Sequence, residues 1–238
     1  SSTATLKMGI ENMLKHYIPE VEEVIAGISG ITSALKPGAI VIDCSTALPD
    51  STVRMAELVF AAGGEFLDAP MTRLAQQARD GTLNILVGGK ADVLETARPV
   101  LNTFTENINH VGEVGFGHRM KLLHNYVSIG YMALLSEAAA QAAQAEIKAD
   151  VFIDVLAKGG GGGSALERLK SSILTGDTSS IPFTINNAIK DIDYYREMIQ
   201  NGTASKTIAD GISLAIKNVV KSGDKELYLS ELTKMFRK

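Results

Sequence analysis

The stretch from Gly115 to Ile147 constrains the fold of this chain more than any other part of the sequence. After the turn Gly115-Phe116-Gly117 it contains no proline, and its only further glycine is Gly130. Its second half is rich in Ala, Leu, Gln and Glu, which are strong helix formers. Apolar side chains recur along it at helical spacing: Met120, Leu123, Val127, Leu134 and Ala138. We therefore predict one long, largely buried helix over residues 115–147.

Four polar side chains lie on one stripe of this predicted helix: Lys121, His124, Asn125 and Ser128. Their spacing of i, i+3, i+4 and i+7 places them on the same face. The simplest interpretation is a solvated stripe on an amphipathic helix. The alternative is a set of functional side chains, and the choice between the two depends on the surrounding sequence.

The first half of the chain alternates strand-like and helical patterns. The strand-like runs are AIVIDCST, EFLDAP, NILVGG and INHVG, and helical patterns lie between them. Short apolar runs that end in polar residues are typical of buried parallel strands. The alternation predicts an α/β fold, with a Rossmann-like parallel sheet in a first domain of residues 1–117.

The second half contains only helical patterns, which predict an all-helical domain over residues 118–238. The long helix joins this domain to the first. The predicted helices after it are ADVFIDVLAKG, SALERLKSSILTG, INNAIKDIDYYREMIQ, TIADGISLAIKNVVKSG and KELYLSELTKMFRK. The run Gly159–Gly163 is predicted to be a flexible loop, either a plain linker or a hinge.

Charge and cysteine content narrow the class of protein. The net charge is −4 and no cluster of Lys and Arg occurs, so we expect no binding to nucleic acid or to a membrane. The single cysteine, Cys44, excludes an internal disulfide and favours a reducing compartment. The first residues lack the pattern of a secretion signal. We therefore expect a cytoplasmic protein, and we predict no metal site.

Two polar loops follow predicted strands, and ligands of open parallel sheets collect at the carboxyl ends of the strands. One loop is Cys44–Pro49 and the other is Asp68–Arg73. The Gly115-Phe116-Gly117 turn follows a third strand and leads directly into the stripe of Lys121. Each loop alone is a weak signal, since Ser-Thr before a helix is first of all an N-cap. Together they are expected to line one crevice between the two domains.

The order of the motifs resembles the β-hydroxyacid dehydrogenase family, which includes 3-hydroxyisobutyrate, tartronate semialdehyde and sulfolactaldehyde reductases. The resemblance runs from about residue 21 to the C-terminus. The matching segments are Asp43–Pro49 for D-x-S-T-x-x-P, Asp68-Ala69-Pro70, Gly81-Thr82-Leu83, Val87-Gly88-Gly89, Gly115–Asn125 for G-x-G-x-x-x-K-x-x-N-N, and Phe183 with Lys190-Asp191.

The resemblance implies hydride transfer between NAD or NADP and a small anionic 3-hydroxy acid or its semialdehyde. It makes Lys121 the catalytic lysine, which exchanges a proton with the substrate oxygen. It makes Asn125 the residue that holds the substrate and orients the lysine. Ser45 and Thr46 correspond to cofactor-contacting positions, and Lys190 to the lysine that closes the nicotinamide side. Asp191 is expected to be structural.

The sequence departs from the family pattern first at its amino-terminal end. The family carries a βαβ unit with G-x-G-x-x-G there, and nothing in residues 1–20 resembles it. These residues are expected to be an irregular or helical lead-in. Either the chain is a fragment of a longer enzyme or residues 1–20 replace that unit.

Two further departures concern the substrate. Met71-Thr72-Arg73-Leu74 stands where the family has V-S-G-G, and His124 replaces the first Asn of its N-N pair. Thr72 and Arg73 are predicted to bind the acid group of the substrate, because a guanidinium suits a carboxylate or sulfonate. His124 and Ser128 are predicted to add donors to the same group. The alternative for Arg73 is a solvent-exposed side chain, or a pair with an acid such as Asp80.

Two other functions compete with this one. An imine reductase shares the fold, but Lys121 argues against it because imine reductases usually replace the catalytic lysine. The second is a catalytically incompetent fragment or regulatory remnant that oligomerises through its helical half. The apolar helices of that half predict a homodimer or homotetramer in either case.

Overall fold

The computed structural model describes residues 18–220, 224 and 226–237. The chain divides into two compact units, Ser1–Leu122 and Leu123–Lys238. The lead-in expected for residues 1–20 lies outside the described residues, except that helix α1 (Ile18–Ala26) begins within it. None of the helices in these described ranges is long and apolar enough to cross a membrane.

The first unit is a sheet with helices, which confirms the predicted α/β class. After α1 its helices are α2 (Pro49–Ala61), α3 (Ala75–Asp80) and α4 (Ala91–Leu101), and a short 3₁₀ turn spans Ile31–Ser33. Its strands are β1 (Ile40–Asp43), β2 (Glu65–Asp68), β3 (Met71–Thr72), β4 (Leu83–Gly88) and β5 (Thr105–Gly112). Two apolar clusters form its core, one centred on Leu67 and Ile85 and the other on Val59 and Phe66.

The sheet is parallel in two places and antiparallel in two others. β1 is parallel to β2, and β4 is parallel to β5, whereas β4 runs antiparallel to β2 and β3. Parallel neighbours need a long crossover, and α2 and α4 lie in these crossovers. The connection from β3 to β4 is shorter, residues 73–82 with α3.

Helix α5 (Phe116–Gln144) is the long helix that the sequence predicts, and it has 29 residues. It ends where Glu146 adopts a positive φ of 57° and the Ile147 N–H returns to the Ala142 carbonyl at 2.9 Å. This ending is the Schellman type of helix C-cap.

The sequence predicts the wrong buried face for α5. Leu123, Val127 and Leu134, which mark the predicted apolar face, are 41%, 65% and 64% exposed. The buried positions lie on another face: Leu122, Asn125, Ile129, Met132, Leu135 and Ser136. Because α5 is apolar on nearly every side, its periodicity does not single out the face that packs.

The described residues of the second unit form only helices and turns, apart from an isolated bridge between Thr184 and Tyr228. α6 (Ala149–Ala157), α7 (Ser164–Thr175), α8 (Ile185–Met198) and α9 (Thr207–Val219) follow α5. The helix predicted for residues 225–238 is reduced to a 3₁₀ turn at Leu229–Glu231 and to α10 (Leu232–Met235). The reason is tertiary: Tyr228 is extended and forms a bridge with Thr184, and the Leu229 N–H bonds the Phe183 carbonyl at 2.8 Å.

The run Gly159–Gly163 forms a turn between α6 and α7. The Tyr131 hydroxyl on α5 donates to the carbonyls of Gly161 and Gly162, the latter at 3.2 Å. A Cβ on Gly161 would lie 2.7 Å from the Leu156 side chain. The turn is therefore bonded to α5 at Gly161 and Gly162, whereas Gly159, Gly160 and Gly163 are exposed.

Candidate active site

Asp68, at the end of β2, is fully buried and holds the start of α5. Its Oδ1 accepts from the Gly115 N–H and its Oδ2 from the His118 N–H, both at 2.8 Å. The first N–H groups of a helix have no partner within the helix, and their partial positive charge favours a carboxylate. In the sequence, Asp68 stands out only as the start of the loop after a predicted strand. Two sequence features could have indicated its role: a carboxylate at the end of a strand, and a Gly-x-Gly segment at the start of a helix.

Two motif glycines make room for this carboxylate. A Cβ on Gly117 would lie 2.5 Å from the Leu86 carbonyl oxygen and 2.7 Å from Asp68 Oδ2. A Cβ on Gly88 would collide with Asp68 Oδ1 and would lie 2.6 Å from the Glu113 carbonyl oxygen. Contacts this short force the absence of a side chain at both positions. The glycines are therefore explained by the close approach of α5 to β4 and Asp68.

His118 is buried beside Asp68 and was missed by the sequence analysis. Its Nδ1 lies 2.7 Å from the Thr52 hydroxyl on α2, and its Nε2 lies 3.2 Å from the Ser45 carbonyl. Its Nδ1 is also 3.7 Å from Asp68 Oδ2. The first turn of α5 is thus tied to α2 and to the loop after β1 by one side chain.

Lys121 lies one turn further along α5 and is partly buried. Its Nζ donates to the carbonyl of Met71 on β3 at 2.7 Å. Thr72, the next residue of β3, is buried. The structure therefore brings the predicted catalytic amine to the strand that carries Thr72, a predicted substrate contact.

Arg73 forms an ion pair at the surface of the first unit. Its Nη1 contacts a carboxylate oxygen of Glu106 and donates to the Thr82 carbonyl at 2.6 Å. The partner is therefore Glu106 and not Asp80, which accepts from Gln76 at 2.9 Å. Arg73 also has a positive φ of 78°, a conformation that favours glycine. This conformation accounts for the glycine that the family pattern has at the same place.

A second set of predicted residues meets in the second unit around Asp191, which is buried on α8. The Asn125 Nδ2 donates to Asp191 Oδ2 at 2.6 Å. The Lys190 Nζ lies 3.0 Å from Asp191 Oδ1 and 5.2 Å from the centre of the Tyr194 ring. Asp191 therefore accepts a hydrogen bond from the amide of Asn125 and forms an ion pair with the ammonium of Lys190.

His124 and Ser128 also contact Asn125. The His124 Nδ1 lies 3.0 Å from Asn125 Oδ1, which can only accept, so Nδ1 carries the proton. The Ser128 hydroxyl points back to the Asn125 carbonyl at a long 3.4 Å. With Oδ1 and Nδ2 both engaged, the side chain of Asn125 is held in one orientation.

The loop after β1 carries Ser45 and Thr46, the predicted cofactor contacts. The Ser45 N–H donates to Asp43 Oδ1 at 2.9 Å. The Ser45 hydroxyl oxygen is buried and has no hydrogen-bond partner among the described residues. A buried hydroxyl of this kind fits the amide or ribose of a nicotinamide nucleotide. Among the residues that the structure describes, no group of three His, Cys, Asp or Glu side chains could hold a metal ion.

Two family models together match most of the chain. Residues 10–112 match the NAD-binding domain of 6-phosphogluconate dehydrogenase. Residues 115–236 match a model described as the NAD-binding part of NADP-dependent 3-hydroxyisobutyrate dehydrogenase.

Curated relatives are similar over part of their length. A 2-(hydroxymethyl)glutarate dehydrogenase of Eubacterium barkeri is 34% identical over 158 residues, which are 66% of this chain and 52% of that protein. A 3-sulfolactaldehyde reductase of Escherichia coli is 34% identical over 173 residues, 72% of this chain and 58% of that one. The chain thus spans between about half and three fifths of the length of these relatives.

The fold is also found in a solved structure. A 3-hydroxyisobutyrate dehydrogenase of Salmonella typhimurium superposes with a TM-score of 0.79 at 23% sequence identity, over 91% of this chain and 75% of that one. At this identity the similarity establishes the fold.

Proposed function

The chain belongs to the β-hydroxyacid dehydrogenase family, and we propose that it takes part in hydride transfer between NAD or NADP and a small 3-hydroxy acid or its semialdehyde. The observation that carries the proposal is the position of Lys121. Its amine is partly buried, is aimed by the Met71 carbonyl, and stands one turn after a helix start that Asp68 fixes. A general acid–base group needs this combination of access and fixed direction.

Lys121 is proposed to move the proton of the reaction. In reduction its ammonium donates a proton to the substrate oxygen as the hydride reaches the carbonyl carbon. In oxidation the neutral amine takes the hydroxyl proton, so one group serves both directions. The bond to the Met71 carbonyl holds Nζ in place while the proton moves.

The residues for a nicotinamide nucleotide are proposed to be Ser45, Thr46 and Lys190. When bound, the nicotinamide supplies or accepts the hydride. The buried hydroxyl of Ser45 offers both a donor and an acceptor. The ammonium of Lys190, fixed by Asp191, offers a positive charge. Nothing in these side chains separates NAD from NADP.

The substrate is proposed to be a small anionic hydroxy acid or semialdehyde. Asn125 is held by Asp191 and His124, so its amide can donate to the substrate in only one direction. Thr72 adds a hydroxyl on β3, and His124 and Ser128 remain proposed contacts on α5. The ion pair with Glu106 favours a structural interpretation of Arg73 over a substrate contact.

We further propose that the protein forms a homodimer or homotetramer. Large apolar side chains are exposed on two helices of the second unit: Val127 and Leu134 on α5 at 65% and 64%, and Ile208 and Leu214 on α9 at 71% and 61%. Exposed apolar side chains of this size are typical of protein interfaces. Light scattering of the full-length protein at several concentrations would measure the number of subunits.

A cytoplasmic location is also proposed. The only cysteine, Cys44, is unpaired and buried. Burial, together with the nearby Asp43 charge, raises the pKa of its thiol to about 12, so the thiol stays protonated and unreactive at neutral pH. An unpaired thiol is usual in reducing compartments.

The test is turnover by the full-length protein with NADH and with NADPH. Sulfolactaldehyde and the semialdehydes of methylmalonate and tartronate are the substrates, and uncharged aldehydes of similar size are the controls. We expect oxidation of one reduced cofactor with at least one anionic aldehyde and much slower oxidation with the uncharged ones. If no aldehyde is reduced with either cofactor, the enzymatic function is wrong and a non-catalytic role takes its place.

A further inference from the structure

His118 is a buried polar side chain to which neither the motifs nor the proposed function gives a role. It lies on the first turn of α5, three residues before Lys121, and has no exposed surface. A buried imidazole costs free energy unless its two nitrogens are satisfied. Both are satisfied here, one from α2 and one from the loop that follows β1.

The partners determine where the ring proton lies. The Ser45 carbonyl can only accept, so Nε2 must carry a proton and donate to it. The Thr52 hydroxyl lies 2.7 Å from Nδ1 and 3.1 Å from the Leu48 carbonyl, which also receives the Thr52 N–H at 3.1 Å. Nδ1 is the nearer acceptor, and in a neutral ring it has a free lone pair once Nε2 carries the proton. The Nε2–H tautomer therefore satisfies the ring, the Thr52 hydroxyl and the Ser45 carbonyl together.

The bond from Nε2 to Ser45 joins two segments that the proposed reaction needs. One is the helix turn that carries Lys121. The other is the loop of Ser45 and Thr46, which is proposed to contact the cofactor. The loop has a second tie within itself, from the Ser45 N–H to Asp43 Oδ1 at 2.9 Å. That local tie shapes the loop, whereas His118 fixes the loop relative to α5.

We propose that His118 is a positioning residue that holds the Ser45–Thr46 loop against the first turn of α5 and thereby sets the affinity for the nicotinamide cofactor. His118 itself does not exchange a proton with the substrate in this proposal. The part about affinity rests on the proposed function, whereas the restraint of the loop does not.

Two conservative variants separate the two nitrogens of the ring. In His118→Asn the amide reaches only the Nδ1 position, so the contact to Thr52 is kept and the bond to Ser45 is lost. In His118→Gln the longer amide reaches the Nε2 position and restores a donor to the Ser45 carbonyl. Thr105→Val is the matched control, because it removes one buried hydroxyl that bonds the Leu101 carbonyl at 2.9 Å, away from the loop.

The first measurement is amide hydrogen exchange of residues 44–48 in the full-length protein without any ligand. We expect exchange to rise about tenfold in His118→Asn, the effect of losing one buried hydrogen bond. It should stay within about twofold of wild type in His118→Gln and in Thr105→Val. If His118→Asn does not fold, His118→Gln decides the matter, and a tenfold rise there would overturn the proposal.

The second measurement is steady-state kinetics with NADH or NADPH. We expect His118→Asn to raise KM for the cofactor about three- to tenfold, with kcat within about twofold of wild type. His118→Gln should restore KM. Equal losses in the two variants, or unchanged exchange and KM in His118→Asn, would show that the ring only fills space. A wild-type protein without turnover would refute the proposed function, while the exchange data would still test the loop restraint.

Discussion

Two buried carboxylates, one in each unit, have the same chemistry and opposite kinds of partner. Asp68 accepts from backbone N–H groups, those of Gly115 and His118. Asp191 contacts side chains, the amide of Asn125 and the ammonium of Lys190. Both have almost no exposed surface.

The two kinds of partner indicate two roles: one carboxylate stabilises the start of a helix, and the other orients two side chains. A carboxylate that caps backbone groups lowers the free energy of the helix start, and its loss should appear as lost stability. A carboxylate that holds two functional side chains fixes their direction, and its loss should appear as lost catalysis. Substitutions of Asp68 and of Asp191 should therefore have different effects, on stability in the first case and on kcat in the second.

The largest effect is expected at Lys121, the proposed acid–base group, which lies one turn after the helix start that Asp68 caps. We expect Lys121→Ala to lower kcat about 10² to 10⁴-fold, the usual contribution of a general acid–base group. Cofactor affinity should change little. Lys121→Arg keeps a positive charge but cannot give up its proton at neutral pH, so it should be nearly as slow. If Lys121→Ala retained more than a tenth of the wild-type kcat, the proton would have to come from another group.

Asp68→Asn should mainly affect stability. The amide keeps the shape but loses the charge, and one of its two positions no longer accepts from the helix N–H groups. Because hydrogen bonds to charged groups contribute about 1.5–3 kcal/mol each, we expect the free energy of unfolding to fall by about 2–4 kcal/mol. Urea unfolding measures this value, and kcat of the folded protein should stay within about threefold. Large catalytic loss at full stability would reverse the assignment of Asp68.

Asp191→Asn should mainly affect catalysis. Without its charge the amide of Asn125 and the ammonium of Lys190 lose their common partner, and a misplaced group can cost about 100-fold in rate, so we expect kcat to fall about 10- to 100-fold. Asp193→Asn on the same helix is the control. Its carboxylate pairs with Lys217 at 2.7 Å and is half-exposed, so kcat should be unchanged there. Similar kcat values in the two variants would contradict the role of Asp191.

The smallest effect is expected at Arg73, which pairs with Glu106 at the surface. Exposed ion pairs contribute about 0–1 kcal/mol, so Arg73→Ala should be only slightly less stable. Arg73→Gly removes the cost of a positive φ and should be about 1 kcal/mol more stable than Arg73→Ala. KM for anionic substrates should change less than about threefold in both variants. A rise in KM of about tenfold or more would show that Arg73 binds the substrate.

The sequence predicted the residues that are proposed to act, and it predicted a structural Asp191, but it gave no role to Asp68 and His118 in holding the start of α5. Lys121 and Asn125 are readable because they share one helix, and helical spacing is a local property. Asp68 and His118 act on each other across residues 69–117, and no local pattern reports such a contact. The packed face of α5 was also misread, since Leu123 and Leu122 are equally apolar but only Leu122 is buried. The features that the sequence did not predict are therefore tertiary contacts between residues far apart in the chain.

The anchored turn at Gly159–Gly163 has a thermodynamic consequence for the second unit. Glycine loses more backbone freedom on folding than other residues, by about 0.5–1 kcal/mol relative to alanine. Five in succession therefore make this turn one of the most entropically costly segments to order, and the Tyr131 hydroxyl is the side chain that bonds its carbonyls. Opening the turn would return that entropy to the chain without unfolding the neighbouring helices. The turn is thus the place in this unit where a protease would cut the folded protein first.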